Sequence, residues 1–136
     1  MNIYFAGSIR GGREDQDLYF SVIKELQKFG TVLTEHIGKR ELGVMGENSL
    51  TDTEIFERDM AWIEESDVVV AEVTTPSLGV GYELGQAESM GKKIICLFRK
   101  VEGKRLSAMI SGNSYMKVFE YQSLEDVKKI FLKNLV

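Results

Sequence analysis

Glu83 is the residue of this chain best placed for covalent chemistry. It ends the segment Thr74-Thr75-Pro76-Ser77-Leu78-Gly79-Val80-Gly81-Tyr82-Glu83. There an apolar run, Asp67 to Ala71, gives way to turn residues, then to spaced glycines, then to a helical pattern. Strand, loop and helix in that order form a corner that takes anions or other ligands on the amides of a helix start. A carboxylate inside such a corner is poorly suited to holding a phosphate and well suited to acting as a nucleophile. The helix dipole predicts that it stays ionised at neutral pH. The plainer alternative is a solvated first-turn glutamate that only complements the dipole. Val80, Tyr82 and Leu84 argue instead for a largely buried surround.

A second unusual loop, Gly7-Ser8-Ile9-Arg10-Gly11-Gly12-Arg13, combines three glycines, a hydroxyl and two arginines. Glycines let backbone amides approach a ligand, Ser8 can donate a hydrogen bond, and Arg10 can fork onto phosphate oxygens. The loop is neither a Walker A motif nor a full dinucleotide fingerprint, and a flexible turn with two solvated arginines fits it equally. Ser77 and Gly79 could add further donors or simply belong to a capped helix start. Asp59 is the natural second carboxylate, or else a mid-helix surface aspartate. His36, the only histidine, could border a pocket or be an ordinary polar loop residue. Tyr4 alternates with Ile3 and Phe5 and reads as core, as do Trp62 and the methionines. No Cys/His cluster has metal-ligand spacing, and Ser8, Ser77 and Ser107 lack a His/Asp relay, so neither a metal site nor a hydrolase triad is expected.

The elements that must hold these residues alternate between strand and helix patterns. Asn2 to Ala6 is a short apolar run. A helical stripe of Leu18, Val22, Leu26 and Phe29 follows from about Arg13, with Gly30 expected to stop it. Thr31 to Thr34 reads as the second strand, and Glu35 to Leu50 is the longest irregular stretch. Thr51-Asp52-Thr53-Glu54 fits a capping box. The helix it opens puts Phe56, Met60 and Ile63 on one stripe and Ile55, Asp59 and Trp62 on the next. Asp67 to Glu72 is apolar enough to be buried on both faces. A helix from about Gly79 to Met90, a strand Lys93 to Phe98, a shorter strand Val118 to Tyr121 and a final helix Ser123 to Leu135 complete the series.

This alternation predicts an α/β fold. The expected form is a three-layer doubly wound sandwich on a five-stranded parallel sheet, in one domain spanning 1–136. In such sheets ligands bind at the carboxyl ends of the strands where the winding reverses. A flavodoxin-like order places the loops after strands 1 and 3 at that point, so the two unusual loops should meet.

The formal net charge is −4 and no run of like charges occurs. That argues against nucleic-acid and membrane-surface partners. The single cysteine, Cys96, lies in an apolar run and cannot form an intramolecular disulfide. It reads as a buried thiol in a reducing compartment. No signal peptide or spanning segment is visible, so a soluble cytoplasmic protein is expected.

The segments YFAGSIRGGRED, FGTVLTEH, DVVVAEVTTPSLGVGYELG, CLFR and LSAMISG together resemble the 2'-deoxynucleoside 5'-phosphate N-hydrolases of the nucleoside 2-deoxyribosyltransferase superfamily. They span Tyr4 to Gly112. The resemblance implies a flavodoxin-like or Rossmann-like sandwich, no cofactor and a small-molecule deoxynucleotide substrate. It makes Glu83 the nucleophile on the anomeric carbon, Asp59 the second active-site carboxylate and Tyr4 a pocket tyrosine. It implies that Ser8, Arg10 and Ser77 hold the phosphate while Ile9 and Gly11 line the nucleotide pocket. It also makes Ser107 and Met109 residues lent to a neighbouring subunit's site, and hence implies a homodimer with composite active sites.

Cleavage of an N-glycosidic bond passes through an oxocarbenium-like state that a carboxylate can stabilise or trap. Arg10 would be an odd neighbour for a neutral 5'-hydroxyl and a sensible one for a phosphate. That favours hydrolysis of monophosphates over the alternative of a nucleoside 2-deoxyribosyltransferase. A non-catalytic nucleotide sensor is the third reading. The Glu83–Asp59 pair speaks against it, because two carboxylates oppose anion binding unless they catalyse.

Overall fold

The computed structural model describes residues 1–9, 15–38 and 49–136. Five strands, β1 (Asn2–Ala6), β2 (Thr31–Val32), β3 (Val68–Glu72), β4 (Lys93–Arg99) and β5 (Lys117–Tyr121), form one sheet in the order β2-β1-β3-β4-β5. Every pairing is parallel. The helices are α1 (Gln16–Leu26), α2 (Asp52–Glu65), α3 (Leu78–Ser89), the one-turn α4 (Ala108–Ser111) and α5 (Leu124–Asn134), with a 3-10 turn at Glu35–Gly38. This is the expected flavodoxin-like order, with the winding reversing between β1 and β3.

Side chains alternate across each strand and so divide the core into two layers. Ile3, Phe5, Val68, Val70, Ile95 and Leu97 face α1 and α5, where they meet Val22, Leu26 and Phe131. Tyr4, Ala6, Val69, Ala71, Ile94 and Cys96 face α2 and α3, where they meet Ile63, Val80 and Leu84. All five residues of β3 are buried, which is why its sequence shows no polar alternation. Strand parity thus puts Tyr4 on the face that carries Asp59 and Glu83.

Most boundaries fall within a residue of the sequence reading, and the ends of α1 and β2 differ for identifiable reasons. α1 ends at Leu26 with Gln27 as its cap, and Gly30 is not its left-handed terminator. A Cβ at Gly30 would lie 2.1 Å from the Met1 carbonyl oxygen, to which the Thr31 N–H also donates at 2.9 Å. The glycine is required by a close chain crossing. Gly91, with φ of 71°, does end α3 in the left-handed way. β2 is shorter than Thr31 to Thr34 because the Thr34 hydroxyl takes over the ladder, accepting from the Phe5 N–H at 2.8 Å and donating to the Phe5 carbonyl at 2.7 Å. The Thr51–Glu54 capping box forms as read, with both reciprocal bonds present.

Candidate active site

The corner after β3 is built by Ser77, the N-cap of α3, whose Oγ accepts from the Val80 N–H at 3.3 Å. Glu83 is the sixth residue of α3 and so sits in its second turn, not its first. Dipole stabilisation fades beyond the first turn, and the expectation that it keeps Glu83 ionised fails for that reason. Burial pushes the Glu83 carboxyl up to about 7; the Tyr4 hydroxyl pulls it back, and the Asp59 charge raises it further. The buried surround is supplied by Val80 and Leu84, whereas Tyr82 is half exposed and turns outward to lie 6.0 Å, ring to ring, from Phe56. Gly79 lies beside the carboxylate: a Cβ there would make ordinary contact, 3.8 Å from both Glu83 Oε1 and Ser77 Oγ.

Tyr4 is completely buried, and its hydroxyl has no hydrogen-bond partner of ordinary geometry. Burial holds its proton on strongly, and the nearby charges of Glu83 and Asp59 hold it further. Leaving a buried hydroxyl unsatisfied costs about 1–3 kcal/mol. Glu83 is the acceptor within its electrostatic reach. Tyr4 does not line the cavity described below.

Asp59, on α2, is paired with a residue that the sequence reading missed. Arg58 Nη2 and Nε donate to Asp59 Oδ1 at 2.9 and 3.1 Å. The same guanidinium stacks over the Trp62 ring at 4.7 Å and lies 3.4 Å from His36 Nε2. The four-residue spacing of Arg58 and Trp62 on one helix was the available signal. The guanidinium offsets the Asp59 charge and lowers the proton affinity of Tyr4.

These groups open on a cavity of about 580 Å³, within the range of small-molecule sites. Ser8, Ile9, His36, Asp59, Ser77, Gly79 and Glu83 all line it, so the loops after β1 and β3 do meet. Ile55, Phe56 and Met60 give it an apolar side that the sequence reading had assigned only to helix stripes. The Ser8 N–H donates to the Tyr19 hydroxyl at 3.1 Å. Arg10 and Gly11 lie outside the described residues. Ser107 and Met109 are not in this cavity: Ser107 caps α4 by accepting from the Met109 N–H at 3.2 Å, and Met109 is 81 % exposed. Among the described residues no group of three or more His, Cys, Asp or Glu could hold a metal ion. Burial pushes the Cys96 thiol up to about 12, which leaves it unreactive.

The chain is similar to several known proteins. The sequence model of the nucleoside 2-deoxyribosyltransferase family matches residues 3–117. A 5-hydroxymethyl-dUMP N-hydrolase of Tetraodon nigroviridis is 61% identical over 113 residues, 82% of this chain and 80% of the relative. Proteins of the same name from Danio rerio and Homo sapiens are each 54% identical, over 93% and 90% of this chain and 88% and 73% of their own. The fold is shared with a CMP N-glycosidase of Clostridium botulinum, at a TM-score of 0.64 and 20% identity, covering 97% of this chain and 99% of that one. A 2-desoxiribosyltransferase of Leishmania mexicana aligns over 99% of both chains at a TM-score of 0.58 and 16% identity. With the matched family spanning both cavity loops and every strand as far as the start of β5, this chain belongs to the nucleoside 2-deoxyribosyltransferase family.

Proposed function

We propose that this protein hydrolyses the N-glycosidic bond of 2'-deoxynucleoside 5'-monophosphates, releasing the free base and 2-deoxyribose 5-phosphate. The observation that carries the reading is a largely buried carboxylate, Glu83, poised at about pH 7 where a nucleotide-sized cavity runs between two loops. High identity to proteins named N-hydrolases supports the same reaction. A Glu83 oxygen attacks the anomeric carbon, and the bond to the base breaks with its electron pair leaving on the base, which takes up a proton. Water then attacks the anomeric carbon, releases a proton that balances the one taken up by the base, and frees the carboxylate. Tyr4 donates to the Glu83 anion, and Asp59, held by Arg58, is the second carboxylate. Ser8, Arg10 and Ser77 hold the phosphate, while Ile9, Gly11, His36 and Gly79 shape the pocket around the nucleotide.

The site is further read as composite, in a homodimer. Leu78, on the cavity rim, is 96 % exposed, and Phe56 and Tyr82 beside it are half exposed. An apolar rim of this kind suits a second copy that covers it. Ser107 and Met109 of the partner subunit would complete the cavity. The buried free thiol fits a cytoplasmic setting, and no helix of the described residues is long and apolar enough to cross a membrane.

The test is a panel of deoxynucleoside monophosphates that includes 5-hydroxymethyl-dUMP, the substrate named for the relatives. Released base and 2-deoxyribose 5-phosphate are measured with and without a second base as acceptor. Charge-assisted contacts to the phosphate are worth about 1.5–3 kcal/mol each, so the free nucleosides should be poorer substrates by tens of fold or more. Equal efficiency on nucleoside and monophosphate, or transfer to the added base in place of hydrolysis, would refute the proposal.

A further inference from the structure

The carboxyl ends of β3, β4 and β5 are locked by a buried carboxylate that the chemistry above does not use. Glu72, only 1 % exposed, accepts from the Thr74 N–H at 2.7 Å, from the Thr74 hydroxyl at 2.9 Å and from the Tyr121 hydroxyl. Thr74 Oγ1 accepts in turn from the Arg99 N–H at 2.8 Å. From this fixed edge the Arg99 side chain reaches back across the sheet, Nη2 donating to Asp15 Oδ1 at 3.1 Å. The other Asp15 oxygen accepts from the Thr75 hydroxyl at 2.8 Å.

Asp15 occupies the N-cap position of α1, where an aspartate ordinarily accepts from its own helix. Its side chain makes no such bond. It spans 60 residues to Thr75 and 84 to Arg99 instead, and it is largely buried. Thr75 stands two residues before Ser77. One turn after Asp15, Tyr19 accepts from the Ser8 N–H. The first turn of α1 is therefore tied to both loops that carry the proposed phosphate ligands.

We propose that Asp15 is a positioning residue: by joining Thr75 and Arg99 it sets the separation of the Ser8 and Ser77 loops and so the fit of the substrate's 5'-phosphate. This rests on the monophosphate reading given above. The link touches no reacting atom, so its loss should weaken phosphate binding and leave the chemical step largely intact.

The experiment compares Asp15→Asn, Thr75→Val and Thr75→Ser with the wild type. It reads kcat and KM on a deoxynucleoside monophosphate and the Kd of inorganic phosphate by calorimetry. Thr75→Val matters because it breaks the link without freeing the Arg99 charge, which could itself attract anions. Asp15→Asn and Thr75→Val should each raise KM and the phosphate Kd by roughly tenfold or more, the scale of a charge-assisted hydrogen bond. Thr75→Ser keeps the hydroxyl and should match the wild type. The two substitutions should be less than additive in the double variant, because both disrupt the Asp15–Thr75 bond, although only Asp15→Asn also weakens the Arg99 pair. Unchanged KM and phosphate affinity in an active Thr75→Val, even with a lowered Tm, would overturn the proposal. So would an equal loss on the unphosphorylated nucleoside. A wild type that turns over no monophosphate and binds no phosphate would overturn the functional reading and this role with it. An active wild type with unaffected variants would strike the link alone.

Discussion

Replacing Glu83 by glutamine separates the electrostatic state of the site from its chemistry. Burial raises the Glu83 pKa from 4.5 to about 7 in the folded protein. Between those two values the folded protein holds a proton that the unfolded chain releases. The stability tied to Glu83 is therefore complete below about pH 4.5, falls as pH rises and is lost above about pH 7. At 1.36 kcal/mol per pH unit that loss is about 3 kcal/mol, of which roughly 2–3 kcal/mol falls between pH 5 and pH 8. The amide of Glu83→Gln is neutral throughout and escapes the loss. Other buried groups, Glu72 among them, titrate in both proteins and cancel in the comparison. Urea unfolding of the ligand-free proteins, in buffers without phosphate, should show the variant gaining roughly 2–3 kcal/mol on the wild type from pH 5 to pH 8. In thermal melts the same gain corresponds to about 10 °C for a chain of this size. Turnover by Glu83→Gln should be lower by several powers of ten, because an amide is no nucleophile. Stability curves that stay parallel within about 0.5 kcal/mol across that range would refute the burial argument, whatever the activity of the variant.

Tyr4→Phe removes a buried hydroxyl that has no hydrogen bond of ordinary geometry to lose, so its Tm should stay level or rise. The rising limb of kcat/KM against pH should move upward, because Tyr4 lowers the Glu83 pKa; substrate ionisation cancels between the two enzymes, and a limb moving downward would contradict the contact. A 2'-hydroxyl withdraws charge from the oxocarbenium-like state, so deoxyribonucleotides should be cleaved faster than their ribo counterparts in paired assays, and equal rates would count against the proposed reaction. For the composite site, mixing Glu83→Ala with a bulky Ser107 replacement should restore activity, since one pocket of each mixed dimer receives both intact residues. A fully active protein that sediments as a monomer would eliminate the shared site.

Local patterns in the sequence were enough for the architecture. The Thr51–Glu54 box, the unbroken apolar run of β3 and the helical stripes depend on neighbours two to four residues apart, so spacing alone exposes them. Alternation gave a doubly wound parallel sheet, and on a flavodoxin-like order the loops carrying Ser8 and Ser77 were expected to meet, as they do at one cavity. The state of the site was not legible in the same way. Helix position suggested an ionised Glu83, whereas the depth of α3 against the sheet sets its pKa near 7. The partner of Asp59 was not read from the sequence, because only folding sets the adjacent Arg58 between it, Trp62 and His36, which lies 22 residues from Arg58. Gly30 looked like a helix stop because the Met1 carbonyl that requires it belongs to another part of the chain. Nothing in the local sequence marks Asp15, because its partners lie 60 and 84 residues on. Desolvation and charge pairing depend on what surrounds a group in three dimensions, and only the packed sheet and helices supply those neighbours.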